Sequence, residues 1–206
     1  QKPITVITNG YDEVEEKMHV KADTGFTLSH IGSLLSERNP HILWKVLKQL
    51  ILENEEFAKD FKLKLVGSVS EDVIQSIKAN DLEPNLEILG YVPHQEAVKI
   101  QRSASVLLLI EIDSDDTRGI IPGKLFEYMA AKRPILALGP EGWDVEKIIE
   151  KTNSGEVFLY NQVDELKEYI LKLYHLYKEN KLVSSSNKIE QFSRKALTEK
   201  LSKLLN

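Results

Sequence analysis

Short apolar runs alternate with segments of helical periodicity along most of this 206-residue chain. The alternation predicts an α/β fold in which helices cover both faces of a doubly wound parallel sheet. Ser105–Ile110 is the most apolar run, so it predicts a central strand that is buried on both faces. The other predicted strands are 4–7, 26–31, 63–66, 86–92, 135–138 and 156–159. In such sheets ligands bind beyond the carboxyl ends of the strands, where the strand order reverses.

Capping residues and apolar periodicity predict the helices between these strands. Asn39 is predicted to cap a helix that has Pro40 at its first position, and Ser70 to cap a helix that ends near Ala79. The other predicted helices are 95–103, 143–151, 163–179 and 187–204. Residues 11–25 predict an exposed connection. The last helix either packs on its own domain or exposes its apolar residues, which are Phe192, Leu197 and Leu201.

The stretch 122–138 predicts a loop, a short helix and a buried strand. Pro122 and Gly123 open the helix, because proline fits a first helical position whose N–H would be unpaired anyway. Lys124 and Glu127 are three residues apart and share a helix face near that end. A helix N-terminus favours phosphate, the lysine adds charge for a diphosphate, and the carboxylate can accept hydrogen bonds from a ribose diol. By spacing alone, the alternative is an exposed ion pair worth about 0.2–0.5 kcal/mol.

Glycines follow several predicted strands, at the edge where a ligand would bind. They are Gly10, Gly32, Gly67 and Gly90. One strand-end glycine usually marks only a turn, but their recurrence at one edge favours a ligand site there. The loop 113–119 follows the central strand and carries three aspartates. These suggest a cation site, with a solvated acidic loop as the more common alternative.

Composition excludes several classes of function. The net charge of −5 gives no basic field for nucleic acid, and no apolar run approaches the length of a membrane span. The absence of cysteine excludes disulfides, zinc–thiolate sites and a cysteine nucleophile, and it suits a reducing compartment. The histidines lack metal-ligand spacing and are interpreted as surface or core residues; they are His19, His30, His41, His94 and His175. The start at 1–3 has no Met and no signal-peptide pattern, which suggests a piece cut from a longer protein.

The segment 126–135 resembles the family 4 retaining glycosyltransferases, whose nucleotide-binding half reads Glu-Ala-Met-Ala-x-Gly-x-Pro-Val at this place. Four other segments are similar to motifs of that family in the same order and spacing. They are Ile7-Thr8-Asn9-Gly10-Tyr11-Asp12, His30-Ile31-Gly32-Ser33, Leu65-Val66-Gly67 and Leu89-Gly90-Tyr91-Val92. Together these matches cover most of the chain.

The resemblance implies a GT-B enzyme, in which two Rossmann-like domains face a cleft, and identifies this chain as the single C-terminal domain. It implies an interdomain connection and first strand at 1–24, a Rossmann-like donor-binding domain at 25–182 and a C-terminal crossing helix at 183–206. The donor would be a nucleotide-diphosphate sugar based on UDP or GDP, transferred with retention and without a metal or other cofactor. The acceptor and any assisting base would come from the missing N-terminal domain. Bacterial polysaccharide biosynthesis is the implied setting.

The same resemblance assigns roles to individual residues. Glu127 would bind the ribose hydroxyls, the backbone near Tyr91 and Val92 would meet the base, and the Gly32 turn would approach the diphosphate. The other implied substrate-binding positions are Ser33, Gly67, Gly119, Pro122 and Gly123.

Two positions depart from the family pattern. The second glutamate, eight residues before Glu127, is replaced by Gly119, and the basic residue after the glycine turn by Ser33. The cations left to stabilise charge on the departing diphosphate are Arg38 and Lys124, which are therefore the predicted catalytic residues. The alternative is that both are solvent-exposed cations.

Three function hypotheses follow. The first is a glycosyltransferase whose isolated donor half binds nucleotide weakly and transfers nothing. The second, favoured by Gly119 and Ser33, is a non-catalytic nucleotide-sugar- or protein-binding module on the same fold. The third, a phosphoacceptor receiver domain, is disfavoured because it needs an aspartate at the end of a central strand, whereas the strand ends here are interpreted as glycines. We expect a cytoplasmic location, with any membrane contact made through the missing half, and no nucleic-acid partner.

Overall fold

The computed structural model describes residues 4–12 and 20–205, so the expectations for 1–3 and His19 lie outside the described residues. The strands are β1 Phe26–Ile31, β2 Phe61–Val66, β3 Leu86–Gly90, β4 Val106–Ile110, β5 Ile135–Leu138 and β6 Gly155–Phe158. They form one parallel sheet in the order β3-β2-β1-β4-β5-β6. This confirms the predicted doubly wound, Rossmann-like α/β fold, and the strand order reverses between β1 and β4.

Helices cover both faces of the sheet. They are α1 His41–Glu53, α2 Glu55–Asp60, α3 Glu71–Ala79, α4 His94–Ser103, α5 Lys124–Ala131, α6 Asp144–Thr152, α7 Val163–Lys178 and α8 Arg194–Leu205. One core lies between the sheet and α1, α2, α3 and α7, and the other between the sheet and α4, α5 and α6. Leu108 of β4 belongs to the first core, whereas Leu107 and Leu109 belong to the second. The prediction of a central strand buried on both faces is confirmed.

The predicted strand at 4–7 is wrong, since these residues form no regular structure. A strand needs a neighbour to accept its hydrogen bonds, and none lies beside this segment among the described residues. The chain instead joins the start of α8: Tyr11 N donates to Phe192 O at 3.1 Å, and Arg194 N donates to Tyr11 O at 2.9 Å. Tyr11 is buried there, whereas Ile4 and Val6 are exposed, so Tyr11 attaches this segment to the domain. The exposed connection predicted at 11–25 is therefore wrong at Tyr11, and its residues 13–19 lie outside the described residues.

Two predicted helix starts are also wrong. Asn39 does not cap α1, because its Oδ1 accepts a hydrogen bond from the buried indole of Trp44 at 2.7 Å. The last helix begins at Arg194, where Ser193 Oγ accepts the Ala196 N–H at 3.2 Å. The Phe192 ring packs against the ring of Phe126, with centroids 5.3 Å apart, whereas Leu201 remains partly exposed. The predicted segment 187–204 therefore packs on the domain at Phe192 and exposes an apolar residue at Leu201.

Glycine turns interlock at the carboxyl ends of β1, β2 and β3. Gly32, Gly67 and Gly90 have φ values of 117°, 111° and 62°. Gly32 N donates to Val66 O at 2.7 Å, and Gly67 N donates to Gly90 O at 2.7 Å. A Cβ atom on Gly67 would lie 2.7 Å from Gly32 O. The turn at Gly67 therefore leaves no room for a side chain, whereas Gly90 has open space where a Cβ atom would lie.

We expect Gly67→Ala to lower the free energy of unfolding by about 1–3 kcal/mol, because alanine disfavours this φ and its Cβ would meet the Gly32 backbone. Urea denaturation measures the change. Gly119→Ala is the matched control, since its Cβ would have no heavy atom within 4 Å. It should stay within about 0.5 kcal/mol of the parent. Equal losses in the two variants would contradict the interlocked arrangement.

Candidate functional site

Four elements meet where the strand order reverses. β1 ends at Ile31 and leads into the Gly32 turn, and the neighbouring strand β4 leads into Glu111. A short 3₁₀ turn after β1 carries Arg38, and α5 begins at Lys124. The ligand-binding edge of a doubly wound sheet therefore carries charged side chains in this protein.

The side chain of Lys124 is half-buried against the Gly32 turn. A Cβ atom on Gly32 would lie 2.7 Å from Lys124 Nζ, so the absence of a side chain makes room for the ammonium group. Burial and, to a smaller extent, the charge of Arg38 lower the pKa of Lys124 to about 8, although the charges of Glu127 and Glu111 oppose the shift. Lys124 is thus not the solvent-exposed member of a surface pair, which was the alternative that spacing alone left open.

His30 lies beneath Lys124 and is 1% exposed. Its Nδ1 is 3.1 Å from Leu108 O, and its Nε2 is 3.5 Å from Lys124 Nζ and 3.4 Å from Ser33 O. Burial, together with the charge of Lys124, lowers the pKa of His30 to about 3, although hydrogen bonding to the two carbonyl groups opposes the shift. The ring is therefore neutral at ordinary pH. The prediction of a surface or core histidine is confirmed as core, but its contact with Lys124 was missed.

Arg38 is held by a buried carboxylate. Its Nε lies 3.0 Å from Glu111 Oε1, and Glu111 is 1% exposed. Ile112 N donates to the same carboxylate oxygen at 3.0 Å, and the Tyr160 hydroxyl donates to the backbone carbonyl of Glu111 at 2.7 Å. A buried carboxylate needs partners such as Ile112 N and Arg38, and its pairing with Arg38 holds the guanidinium close to the edge. Sequence reasoning missed Glu111, because an isolated acid after a strand carries no recognisable pattern.

Glu127 and Tyr128 connect α5 to its neighbours. Gln101 Nε2 of α4 donates to Glu127 Oε2 at 3.0 Å, and Glu127 is half-buried. The Tyr128 hydroxyl accepts from Ile31 N at 3.0 Å and donates to Ile31 O at 3.3 Å. The side chain of Tyr128 therefore ties α5 to the last residue of β1. Sequence reasoning missed both partners, since Gln101 and Tyr128 lack any charge or spacing that marks them.

The other predicted site residues lie at varying distances from this cluster. Ser33 and Gly67 flank the Gly32 turn. Tyr91 follows β3, two strands away, and is 91% exposed, whereas Val92 is half-buried.

Two predicted substrate-binding residues open α5. Pro122 O accepts the Leu125 N–H at 3.0 Å, and a Cβ atom on Gly123 would lie 3.5 Å from Asn9 Nδ2. Gly119, in contrast, lies in an exposed loop with nothing near its missing side chain. The start of α5 is therefore part of the cluster, whereas Gly119 is open to solvent.

The prediction that the strands end in glycines is wrong for the central strand. The central strand β4 is followed by the carboxylate of Glu111 rather than by a glycine. This carboxylate is paired with Arg38, and the sheet order differs from the 2-1-3-4-5 order of flavodoxin-like receiver folds. The receiver hypothesis remains disfavoured, now on topology.

Other possible sites are less well developed. Within 4–12 and 20–205, no group of three or more His, Cys, Asp or Glu side chains could hold a metal ion. No helix in the described ranges is long and apolar enough to cross a membrane. A concavity at the opposite, amino edge of the sheet contains none of the predicted site residues; its polar lining includes Asp23, Asp60, Ser105, Arg133 and Lys178.

Comparison with known proteins gives one family match. The sequence model described as "Glycosyl transferases group 1" matches residues 25–176. No curated protein sequence matches the chain.

Several solved structures share the fold. HepE of Anabaena, solved with UDP, has a TM-score of 0.72 at 16% identity, over 98% of this chain and 57% of HepE. WaaB, described as a lipopolysaccharide outer core galactosyltransferase, has a TM-score of 0.67 at 13% identity, over 98% of this chain and 55% of WaaB. The pneumococcal O-GlcNAc transferase GtfA, solved with UDP and GlcNAc, has a TM-score of 0.61 at 20% identity, over 90% of this chain and 37% of GtfA. The chain spans about half the length of the first two, and the likeness shows a GT-B-type domain.

The burial of His30 has a consequence for acid stability. Its folded pKa of about 3 lies below the ordinary value of 6.5, so the unfolded state binds more protons between these values. Stability should therefore fall as the pH drops from 6.5 toward 3. We expect this group to contribute a loss of about 2 kcal/mol between pH 6.5 and pH 4.5.

Urea denaturation at the two pH values measures this loss in the parent and in His30→Gln, which removes the titrating ring. The exposed His175 provides the control, since His175→Gln should retain the parent's acid loss. An undiminished loss in His30→Gln would show that His30 is not the group responsible.

Proposed function

The chain belongs to the group 1 glycosyl transferases, and on that premise we propose that it is the donor-binding half of an enzyme that transfers a sugar from a nucleotide diphosphate to an acceptor. The observation that carries the proposal is the half-buried ammonium of Lys124. It lies between the Gly32 turn and the N-terminus of α5, at the edge where doubly wound sheets bind nucleotides.

The diphosphate binds at the start of α5. The first N–H groups of a helix and its partial positive charge attract phosphate oxygens. Lys124 adds a full charge, and the bare backbone of Gly32 lets the phosphate approach closely. Arg38, anchored by Glu111, supplies a second cation near the same edge. Several weak attractions thus converge on one anionic group.

The nucleoside extends away from that point. Glu127, one helical turn into α5, accepts hydrogen bonds from the ribose hydroxyls, and Gln101 orients its carboxylate. The base lies toward the segment at Tyr91 and Val92, beyond the end of β3. UDP and GDP are the two candidate carriers, and UDP is favoured because HepE and GtfA were solved with it.

Catalysis by this half is electrostatic. As the glycosidic bond to the diphosphate breaks, negative charge grows on the leaving oxygen, and Lys124 and Arg38 stabilise it. The acceptor and any assisting base come from an N-terminal domain, a proposal that the greater length of the solved relatives supports. Retention at the anomeric carbon follows from the family resemblance. The isolated chain should bind nucleotide weakly and transfer nothing.

The cellular setting is part of the same proposal. WaaB acts on lipopolysaccharide by its description, so a bacterial surface polysaccharide is the class of acceptor that we propose. The reaction would take place in the cytoplasm without a metal or other cofactor.

A non-catalytic module on the same fold is the second candidate. It is favoured by Gly119, which lies in open solvent where the family resemblance expects a second glutamate. Turnover separates the two candidates: a full-length enzyme should lose sugar transfer in Lys124→Ala, whereas a binding module would show no turnover to lose.

Nucleotide affinity tests the assigned residues directly. We expect Lys124→Met to weaken UDP binding roughly ten- to a hundredfold, because a charge-assisted phosphate contact is worth about 1.5–3 kcal/mol. Glu127→Ala should weaken it as well. Isothermal calorimetry with UDP and GDP measures both effects and identifies the preferred base. Lys147→Met is the matched control, since this lysine is 78% exposed on α6 and should not matter.

Each outcome removes a defined part of the proposal. Heats for Lys124→Met equal to those of the parent would remove the diphosphate site from the start of α5. Equal heats for Glu127→Ala would remove only the ribose contact.

Because the pKa of Lys124 is about 8, the affinity for UDP should depend on pH. The ammonium form, which attracts phosphate, predominates below that pH. We expect the affinity for UDP to fall between pH 8 and pH 9, by up to about tenfold per pH unit once the amine is largely neutral. Calorimetry at pH 7, 8 and 9 measures the fall. Lys124→Met should lack this component; an identical fall in that variant would assign it to the nucleotide or to another group.

A further inference from the structure

His30 is one of the deeply buried titratable groups of the candidate site, and both of its ring nitrogens have partners. Nδ1 lies 3.1 Å from Leu108 O, and Nε2 lies 3.5 Å from Lys124 Nζ and 3.4 Å from Ser33 O. His30 has no role in the steps of glycosyl transfer proposed above. A polar ring placed inside a sheet needs such contacts on both sides, because a buried group without a partner is costly.

The neighbouring strand determines where the proton of the ring lies. Both carbonyls can only accept, and a neutral ring can donate to only one of them; the contact of Nδ1 with Leu108 O, at 3.1 Å, is shorter than that of Nε2 with Ser33 O, at 3.4 Å, and therefore places the hydrogen on Nδ1. A neutral imidazole then has its lone pair on Nε2, on the side of the Lys124 ammonium. β4 therefore makes His30 a hydrogen-bond acceptor for Lys124.

We propose that His30 is a positioning residue, a neutral acceptor that holds the Lys124 ammonium over the Gly32 turn without cancelling its charge. This inference rests on the proposed function, since it concerns how the same site receives a diphosphate. A lysine ammonium has three donors, and one contact with His30 leaves the other two for phosphate oxygens. A carboxylate in the place of His30 would orient the lysine equally well, but it would neutralise the charge on which anion binding depends.

The other charged groups around Lys124 are already engaged. Arg38, on the turn after β1, is paired with Glu111, which follows β4, at 3.0 Å. Glu127, on α5 itself, accepts the amide of Gln101 at 3.0 Å. Because burial keeps the pKa of His30 near 3, its ring is a neutral acceptor above that pH, and Lys124 is mostly charged up to its own pKa of about 8. Lys124 is thus a cation with an uncharged partner, at the edge where the diphosphate is proposed to bind.

Two substitutions separate the two contacts of the ring. His30→Gln places an amide oxygen near the position of Nε2 and keeps an acceptor for Lys124. His30→Asn places an amide nitrogen near the position of Nδ1; it keeps the bond to Leu108 O but does not reach Lys124. Both are smaller polar residues at the same buried position, so a purely structural role would affect them alike.

The first measurement needs no nucleotide. The pKa of Lys124 is followed by NMR of ¹³C-labelled lysine, with the signal assigned by its absence in Lys124→Met. We expect the pKa to fall below the parent value in His30→Asn, because the charged form loses its acceptor, and to stay near the parent value in His30→Gln. Equal values in the parent and in both variants would overturn the inference.

The second measurement is UDP affinity by calorimetry at pH 7. His30→Asn should bind roughly ten- to a hundredfold more weakly than the parent, and His30→Gln should bind nearly as well. Weakening of equal size in both variants would indicate a structural role and overturn the inference. If Lys124→Met binds UDP like the parent while the lysine titration still responds to His30→Asn, the proposed function fails and the contact between His30 and Lys124 stands.

A third measurement uses the unsubstituted protein, so it tests the inference even if the His30 variants do not fold. ¹⁵N NMR of the imidazole distinguishes the two neutral tautomers. The inference requires the Nδ1–H form for His30, and observation of the Nε2–H form would overturn it, since Nε2 could then no longer accept from Lys124.

Discussion

The two hydrogen bonds between the Tyr128 hydroxyl and the backbone of Ile31 hold the start of α5 at the carboxyl end of β1. Burial raises the pKa of Tyr128, so the hydroxyl keeps its proton and serves as both donor and acceptor. Lys124 precedes this anchor by one helical turn, which places its ammonium over Gly32. A helix start moved by even a small distance would separate the lysine from both His30 and the glycine turn. The geometry of the candidate site therefore depends on this contact.

The electrostatics of the site follow from which partners are charged. Glu111, buried and paired, compensates Arg38 and holds it in place. His30 is equally buried but neutral, so it orients Lys124 and leaves its charge intact. The protein thus keeps one compensated and one uncompensated cation at the edge where the strand order reverses. An anion arriving there would gain most from the second, because its charge is not already shared with a carboxylate.

Sequence reasoning predicted the features that local chemistry controls. The alternation of apolar runs and helices, the buried central strand and the glycine turns at Gly32 and Gly67 all have their cause within a few residues of chain. The strand predicted at 4–7 failed because pairing depends on a neighbour that no local pattern reveals. The cap predicted at Asn39 failed because the Asn39 side chain accepts a hydrogen bond from the buried Trp44 indole instead. The roles assigned to Lys124, Arg38 and Glu127 remain predictions that the proposed experiments test.

By itself, the sequence determined the class of fold and the edge that can bind a ligand, because all strands of a parallel sheet point their carboxyl ends the same way. Only the tertiary structure decided which side chains share that edge. The order β3-β2-β1-β4-β5-β6 brings His30 against Leu108, 78 residues further along the chain, and Arg38 against Glu111, 73 residues further along. Such pairs arise from the folding of distant segments onto adjacent strands, and neither residue carries a local signal of its partner. The tautomer of His30 and the lowered pKa of Lys124 are therefore properties of the packed fold.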